Sequence, residues 1–209
     1  MYREHSSGNE ATPMRYCHLV QSARAGKLSA PLPGRVVWIT GLSGSGKTTL
    51  AREFVSLLRN SGDNVVFLDG DELREILSFD ESGDEQFSRQ SRLKLAKQYA
   101  NLCKLISLQG ATVVIATISL FNEIHKWNRL NLPNYLEVFL DVPLEILRKR
   151  DPKGIYKNFD EKRLDQIVGL DLEFDTPFSP DLIYKYTDGV SAESNALAML
   201  REIRSRGYK

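Results

Sequence analysis

One eight-residue run constrains this chain more than any other: Gly41-Leu42-Ser43-Gly44-Ser45-Gly46-Lys47-Thr48. It follows a short apolar segment, Arg35–Thr40, and precedes an amphipathic one, Thr48–Asn60, whose Leu50, Phe54, Leu57 and Leu58 share a face. A strand, a glycine-rich turn and a helix form the context in which G-x-x-x-x-G-K-[ST] cradles phosphate. Glycines let successive backbone N–H groups face phosphate oxygens, and the helix N-terminus adds its dipole. Gly41, Ser43, Gly44, Ser45, Gly46, Lys47, Thr48 and Thr49 are therefore the expected nucleotide-binding set. Lys47 is expected at the β- and γ-phosphates, and Thr48 offers its hydroxyl to Mg²⁺.

The rest of the pattern alternates. Asn64–Leu68, Thr112–Ala116, Leu136–Leu140 and Leu182–Tyr186 read as further strands, Arg89–Gln109 and Leu144–Arg150 as helices. Such alternation predicts parallel crossovers in a doubly wound α/β fold of about five strands, with ligands at the carboxyl ends. Residues 1–33 are rich in Ser, Gly, Ala and Pro and are read as an N-terminal arm, with Pro31 and Pro33 as its boundary. Residues 34–209 form the expected catalytic domain.

Charge and cysteine usage exclude several classes. The formal net charge is +1, which gives no electrostatic case for nucleic acid or an anionic membrane. Two cysteines, Cys17 and Cys103, make no disulfide framework, and Cys103 lies in an apolar helical pattern that suits a core. No apolar run approaches the ~20 residues of a membrane span, and Met1–Glu10 lacks a signal-peptide core. The expected setting is cytoplasmic.

A phosphate-binding loop serves several chemistries. There is no N-K-x-D guanine motif, and the third strand ends without an acid, which argues against a typical GTPase or motor ATPase. The acids stand instead after the second strand, in Asp69-Gly70-Asp71. Carboxylates there face the phosphates: Asp69 is expected to hold Mg²⁺ through water, and Asp71 to orient or deprotonate an attacking hydroxyl. Asp71 before Glu-Leu-Arg also reads as a helix N-cap.

At these residues the chain resembles the adenylylsulfate kinase family, from about residue 35 to about 183. The resemblance is carried by Gly41–Thr49, Leu68–Arg74, Phe87-Ser88 with Arg92, and Ile118-Ser119. It continues through Arg150-Asp151-Pro152-Lys153-Gly154-Ile155-Tyr156 and Gly169-Leu170-Asp171, then Pro177 and Pro180-Asp181-Leu182. It implies transfer of the ATP γ-phosphate to the ribose 3′-hydroxyl of adenylyl sulfate, and often a homodimer. Lys47, Asp71 and Ser119 are then the expected catalytic residues. Arg74, Phe87, Arg92, Ile118, Lys153 and Ile167 would hold the acceptor, and Arg150 would stand with the ATP-binding residues. Residues 150–156 would form a lid that excludes water.

The acceptor shell departs from the family pattern. An insertion including Asp80–Glu85 precedes Phe87, Leu95 replaces an Asn, Leu120 a Pro, and Ile167 a second stacking aromatic. Leu102-Cys103-Lys104, Ser119-x-Phe121-x-Glu123 and Trp127-Asn128-Arg129 resemble a side branch, the cytidine diphosphoramidate kinases of capsular polysaccharide pathways. That branch is the alternative acceptor reading. A nucleotide-binding module without catalysis, and a small-metabolite kinase of the shikimate or gluconate type, are the other rivals. His125 is expected as a solvated helix residue, Trp127 as a packing one, and Arg129 as an ordinary surface charge.

Overall fold

Val36-Val37-Trp38-Ile39-Thr40-Gly41 is buried along its whole length. A strand so placed must be covered on both faces, and its alternate side chains feed two separate cores. In the computed structural model, which describes residues 31–77, 88–205 and 207, the chain runs β1 (Val36–Gly41), α1 (Lys47–Asn60), β2 (Val65–Asp69), α2 (Gly70–Leu77), α3 (Arg89–Ser107) and β3 (Thr112–Ala116). It continues as α4 (Asn122–Asn131), β4 (Tyr135–Asp141), α5 (Leu144–Arg150), α6 (Ile155–Asp160), β5 (Leu182–Lys185) and α7 (Ala192–Ser205). The sheet order is β2-β3-β1-β4-β5, every pair parallel. Residues 1–30 of the arm, Phe87 and the acidic run before it lie outside the described residues.

On one face Val37, Ile39, Val114 and Val138 meet Leu50, Phe54 and Leu58 of α1 and Met199 and Ile203 of α7. On the other, Val36, Trp38, Val113 and Ile115 meet Leu95, Tyr99 and Cys103 of α3 and Ile124 of α4. Cys103 is wholly buried, as its apolar pattern predicts, and Trp127 packs against the same cluster.

Two expectations are corrected on this second face. His125 is buried rather than solvated, and its Nδ1 meets the carboxylate of Glu137, which β4 carries into the interior. Arg129 is no free surface charge: it donates to Glu137 at 3.2 Å and to Asp181 at 2.6 Å. Helical periodicity shows which residues share a face, but not that a neighbouring strand brings a buried acid to that face.

Candidate active site

Three strand ends open on one cleft of about 580 Å³. β1 delivers the loop 41–48, β2 delivers Asp69-Gly70-Asp71, and β3 delivers Thr117-Ile118. Gly46 adopts φ 95°, a left-handed conformation that favours glycine and turns the chain into α1. Gly70 meets β3 so closely that an added Cβ would lie 2.9 Å from Thr117 Oγ1.

The polar groups of the cleft are held by one another. Thr48 Oγ1 donates to Asp69 Oδ2 at 2.8 Å. Asp69 Oδ1 accepts the Asp71 N–H at 2.9 Å, so Asp69, not Asp71, caps α2. This correction leaves the Asp71 side chain free of the helix start. It is exposed and paired with Lys153 of the lid segment. Tyr99 of α3, which sequence reading passed over, donates from its hydroxyl to the Gly70 carbonyl at 2.9 Å and braces this turn. Lys47 Nζ donates to the Leu42 carbonyl at 2.8 Å. Burial is the main reason that the Lys47 ammonium is lowered to about 8; Lys153 lowers it further, while Asp71 and Asp69 oppose the shift.

The lid segment is tied to the loop it covers. Asp151 accepts the N–H groups of Tyr156 and Lys157, capping α6. The buried Tyr156 then donates from its hydroxyl to the Ser43 carbonyl at 2.9 Å. Pro152 and Lys153 line the cleft. Arg150 lines it too, and also a hollow of about 230 Å³ beside Ser45 and Thr49, where its guanidinium lies 4.9 Å from the Tyr186 ring centre.

A smaller cavity of about 90 Å³ adjoins the cleft. Asp71, Arg74, Arg92 and Ile118 line both. Burial, and then the charges of Arg74 and Arg89, lower the Arg92 guanidinium from its ordinary value. Ile167 lines only the cleft, and Ser119 only the smaller cavity, where its hydroxyl lies 2.8 Å from Thr117 Oγ1. Ser119 also has φ 26°, an unusual conformation for a non-glycine residue. Gly41 and Ser45 shape the loop from behind: a Cβ on Gly41 would fall 2.9 Å from Ser45 Oγ. Phe121 and Phe174 line the smaller cavity and were not singled out as binding residues. Phe121 stands in the Ser119-x-Phe121-x-Glu123 run, whereas Phe174 has no local signal beyond its aromatic character.

Known proteins resemble this chain in sequence and fold. The family model described as adenylylsulphate kinase matches residues 33–185. A cytidine diphosphoramidate kinase of Campylobacter jejuni is 42% identical over 142 residues, covering 68% of this chain and 81% of the relative. An adenylyl-sulfate kinase of Buchnera aphidicola is 35% identical over 164 residues, covering 78% of each. The structure of the Mycobacterium tuberculosis APS kinase with AMPPNP and APS superposes with a TM-score of 0.75 at 30% identity, covering 83% of this chain and 99% of that one.

Proposed function

The chain belongs to the adenylylsulphate kinase family, and within it we propose transfer of the ATP γ-phosphate to the ribose 3′-hydroxyl of a nucleotide-like acceptor, adenylyl sulfate by family default. Like its family, it is a phosphotransferase with a hydroxyl acceptor and ATP as donor. The observation that carries the proposal is one cleft lined by Lys47, the Thr48–Asp69 pair and Asp71, with Asp71, Arg74 and Arg92 also lining the adjoining cavity.

The reaction follows from that placement. A lone pair on the acceptor oxygen forms the new bond to Pγ. The bond from Pγ to the β–γ bridging oxygen breaks, its electron pair leaves with ADP, and the hydroxyl proton passes to Asp71. Lys47 and the loop N–H groups, from Ser43 to Thr49, bear the phosphate charge. Arg150 holds the nucleotide end of the donor. Arg74, Arg92, Ile118, Ser119 and Ile167 place the acceptor, with Phe87 stacking on its base, and Lys153 neutralises charge from the lid. Mg²⁺ suits a site with one hydroxyl and one carboxylate, because this ion keeps water and substrate phosphates as its other ligands. Thr48 and Asp69 would hold it, and it would supply neutralisation of the charge on the transferring phosphate. Dependence on ATP supports a cytoplasmic setting, and family analogy a homodimer.

A second acceptor, a cytidine diphosphoramidate-type nucleotide, is favoured by the 42% identical relative and by the aliphatic Ile167, which stands where the wider family carries a second stacking aromatic. ADP release from MgATP, with adenylyl sulfate and a cytidine diphosphate derivative offered in parallel, tests both. Preference for adenylyl sulfate supports the family default; preference for the cytidine compound supports the second acceptor. Slow turnover of both with tight ATP binding would overturn the transfer reading in favour of a binding module.

A further inference from the structure

The Asp71 carboxylate has little side-chain support. It is 67% exposed, and Lys153 is its one hydrogen-bond or ion-pair partner among the described residues. Its place is therefore set by the backbone behind it. That backbone is the Gly70–Asp71 peptide, a trans unit whose carbonyl and N–H point opposite ways.

Both ends of this one peptide are held. The Asp69 carboxylate takes the Asp71 N–H at 2.9 Å. The Tyr99 hydroxyl reaches from α3 to the Gly70 carbonyl, also at 2.9 Å. The flank is closed as well: a Cβ on Gly70 would lie 3.0 Å from the Ala116 carbonyl oxygen, so the residue sits against the end of β3. Gly70 is the first residue of α2, and helix ends fray, so support from outside the helix counts most there.

Tyr99 suits this task. It is 3% exposed, and its ring packs with Leu95 and Cys103 in the core of the second face. Burial raises its hydroxyl above the ordinary value, so it stays protonated and donates. A tyrosine has only two side-chain torsions, so a ring fixed by packing also fixes the oxygen. Tyr99, Gly70 and Asp71 all line the smaller cavity.

We infer that Tyr99 is a positioning residue for phosphate transfer: its hydroxyl, acting through the Gly70 carbonyl, holds the Asp71 carboxylate in place to meet the acceptor hydroxyl. Tyr99 itself forms and breaks no bond in the reaction. The inference rests on the kinase reading above and on the role of Asp71 in it. A buried tyrosine hydroxyl finds a partner in most folds, so positioning is separated from packing by experiment.

ADP release from MgATP is measured at saturating substrate, with adenylyl sulfate and, separately, cytidine 5′-diphosphate as acceptor. Wild type, Tyr99→Phe, Asp71→Asn, the Tyr99→Phe/Asp71→Asn double variant and Cys103→Ala are compared, with thermal midpoints and ATP binding alongside. Tyr99→Phe keeps the ring and removes only the oxygen. It is expected to lower kcat about 5- to 50-fold with ATP binding unchanged, short of the ~10²-fold that a misplacement of about 1 Å can cost, because the Asp69 bond remains. In the Asp71→Asn background the same substitution is expected to change kcat little, since no base is left to place. Cys103→Ala, one helical turn further along α3, loosens the same core without touching Gly70. It is expected to lower the thermal midpoint and not kcat. A kcat loss in Tyr99→Phe no greater than that in Cys103→Ala, or one of equal size with and without Asp71, would overturn the inference and leave the kinase reading intact. Near-normal turnover by Asp71→Asn would remove the base and the inference with it. No turnover of either acceptor by wild type would overturn the kinase reading itself, and the inference that rests on it.

Discussion

Asp69 shows how much one residue can carry when its two oxygens face different ways. One oxygen accepts from Thr48 and the other from the Asp71 N–H, so the Asp69 carboxylate, Thr48 and the start of α2 are fixed together. Asp71 is thereby left to act. Asp71→Asn is expected to lower kcat by about 10²- to 10⁴-fold, the usual worth of a general base, while ATP binding stays near wild type. Near-normal turnover at saturating ATP would remove Asp71 from the mechanism. Lys47 makes a second prediction, with a definite sign. Its folded value of about 8 lies below the unfolded 10.5, chiefly through burial. Between these values the unfolded chain keeps a proton that the folded chain has released, so the group's contribution to stability grows as pH rises through that window and is lost as pH falls through about 8. Phosphate favours the charged form. ATP binding at pH 9 is therefore expected to be weaker than at pH 7 and to take up a proton, read by calorimetry in two buffers of different ionisation enthalpy. The motif residues at this scale were legible because phosphate chemistry demands them at fixed spacing. The cap was misassigned to Asp71 because two acids so close in sequence offer the same local pattern, and only the fold shows which one faces the helix start.

At the scale of elements, the strands and long helices follow their apolar periods closely. Thr112–Ala116 and Leu144–Arg150 match the expected bounds, and the first strand is offset by one residue. α6 and α7 were not read, and α4 only as the helical setting of His125. α6 has only six residues, too few to be stable alone in water, so no propensity could reveal it. It persists because Asp151 caps it and Tyr156 hangs it from the loop through the Ser43 carbonyl. Tyr156→Phe removes that hydroxyl alone. It is expected to raise KM for ATP several-fold with less effect on kcat, at a stability cost of about 1 kcal/mol. Steady-state kinetics with urea titration decides the point, and an unchanged KM would mean that the lid is not hung there.

The whole molecule depends on joints that no single element contains. Glu137 on β4 holds His125 and Arg129 of α4, while Arg129 and the Glu137 N–H both reach the Asp181 carboxylate just before β5. Glu137 thus fastens β4 to α4, and Asp181 ties the start of the edge strand β5 to the same joint. Glu137→Gln is expected to destabilise the protein by roughly 3 kcal/mol, at the low end for breaking a buried pair because Arg129 is partly solvated. The urea midpoint should fall with little change in slope, and a shift within error would show the joint to be dispensable. Among the described residues no helix is long and apolar enough to cross a membrane.

The glycine-rich loop, the α/β class and the strand ends were legible in the sequence, because these rest on local spacing and short-range periodicity. The acceptor cavity was decided by tertiary structure. Arg74 and Arg92, Phe121, and Glu173 with Phe174 come from widely separated stretches of chain, and only the folded chain brings them to one cavity. The partners of His125 and Arg129 were hidden for the same reason: a buried charge is recognised by what packs against it, and packing is a property of the folded chain.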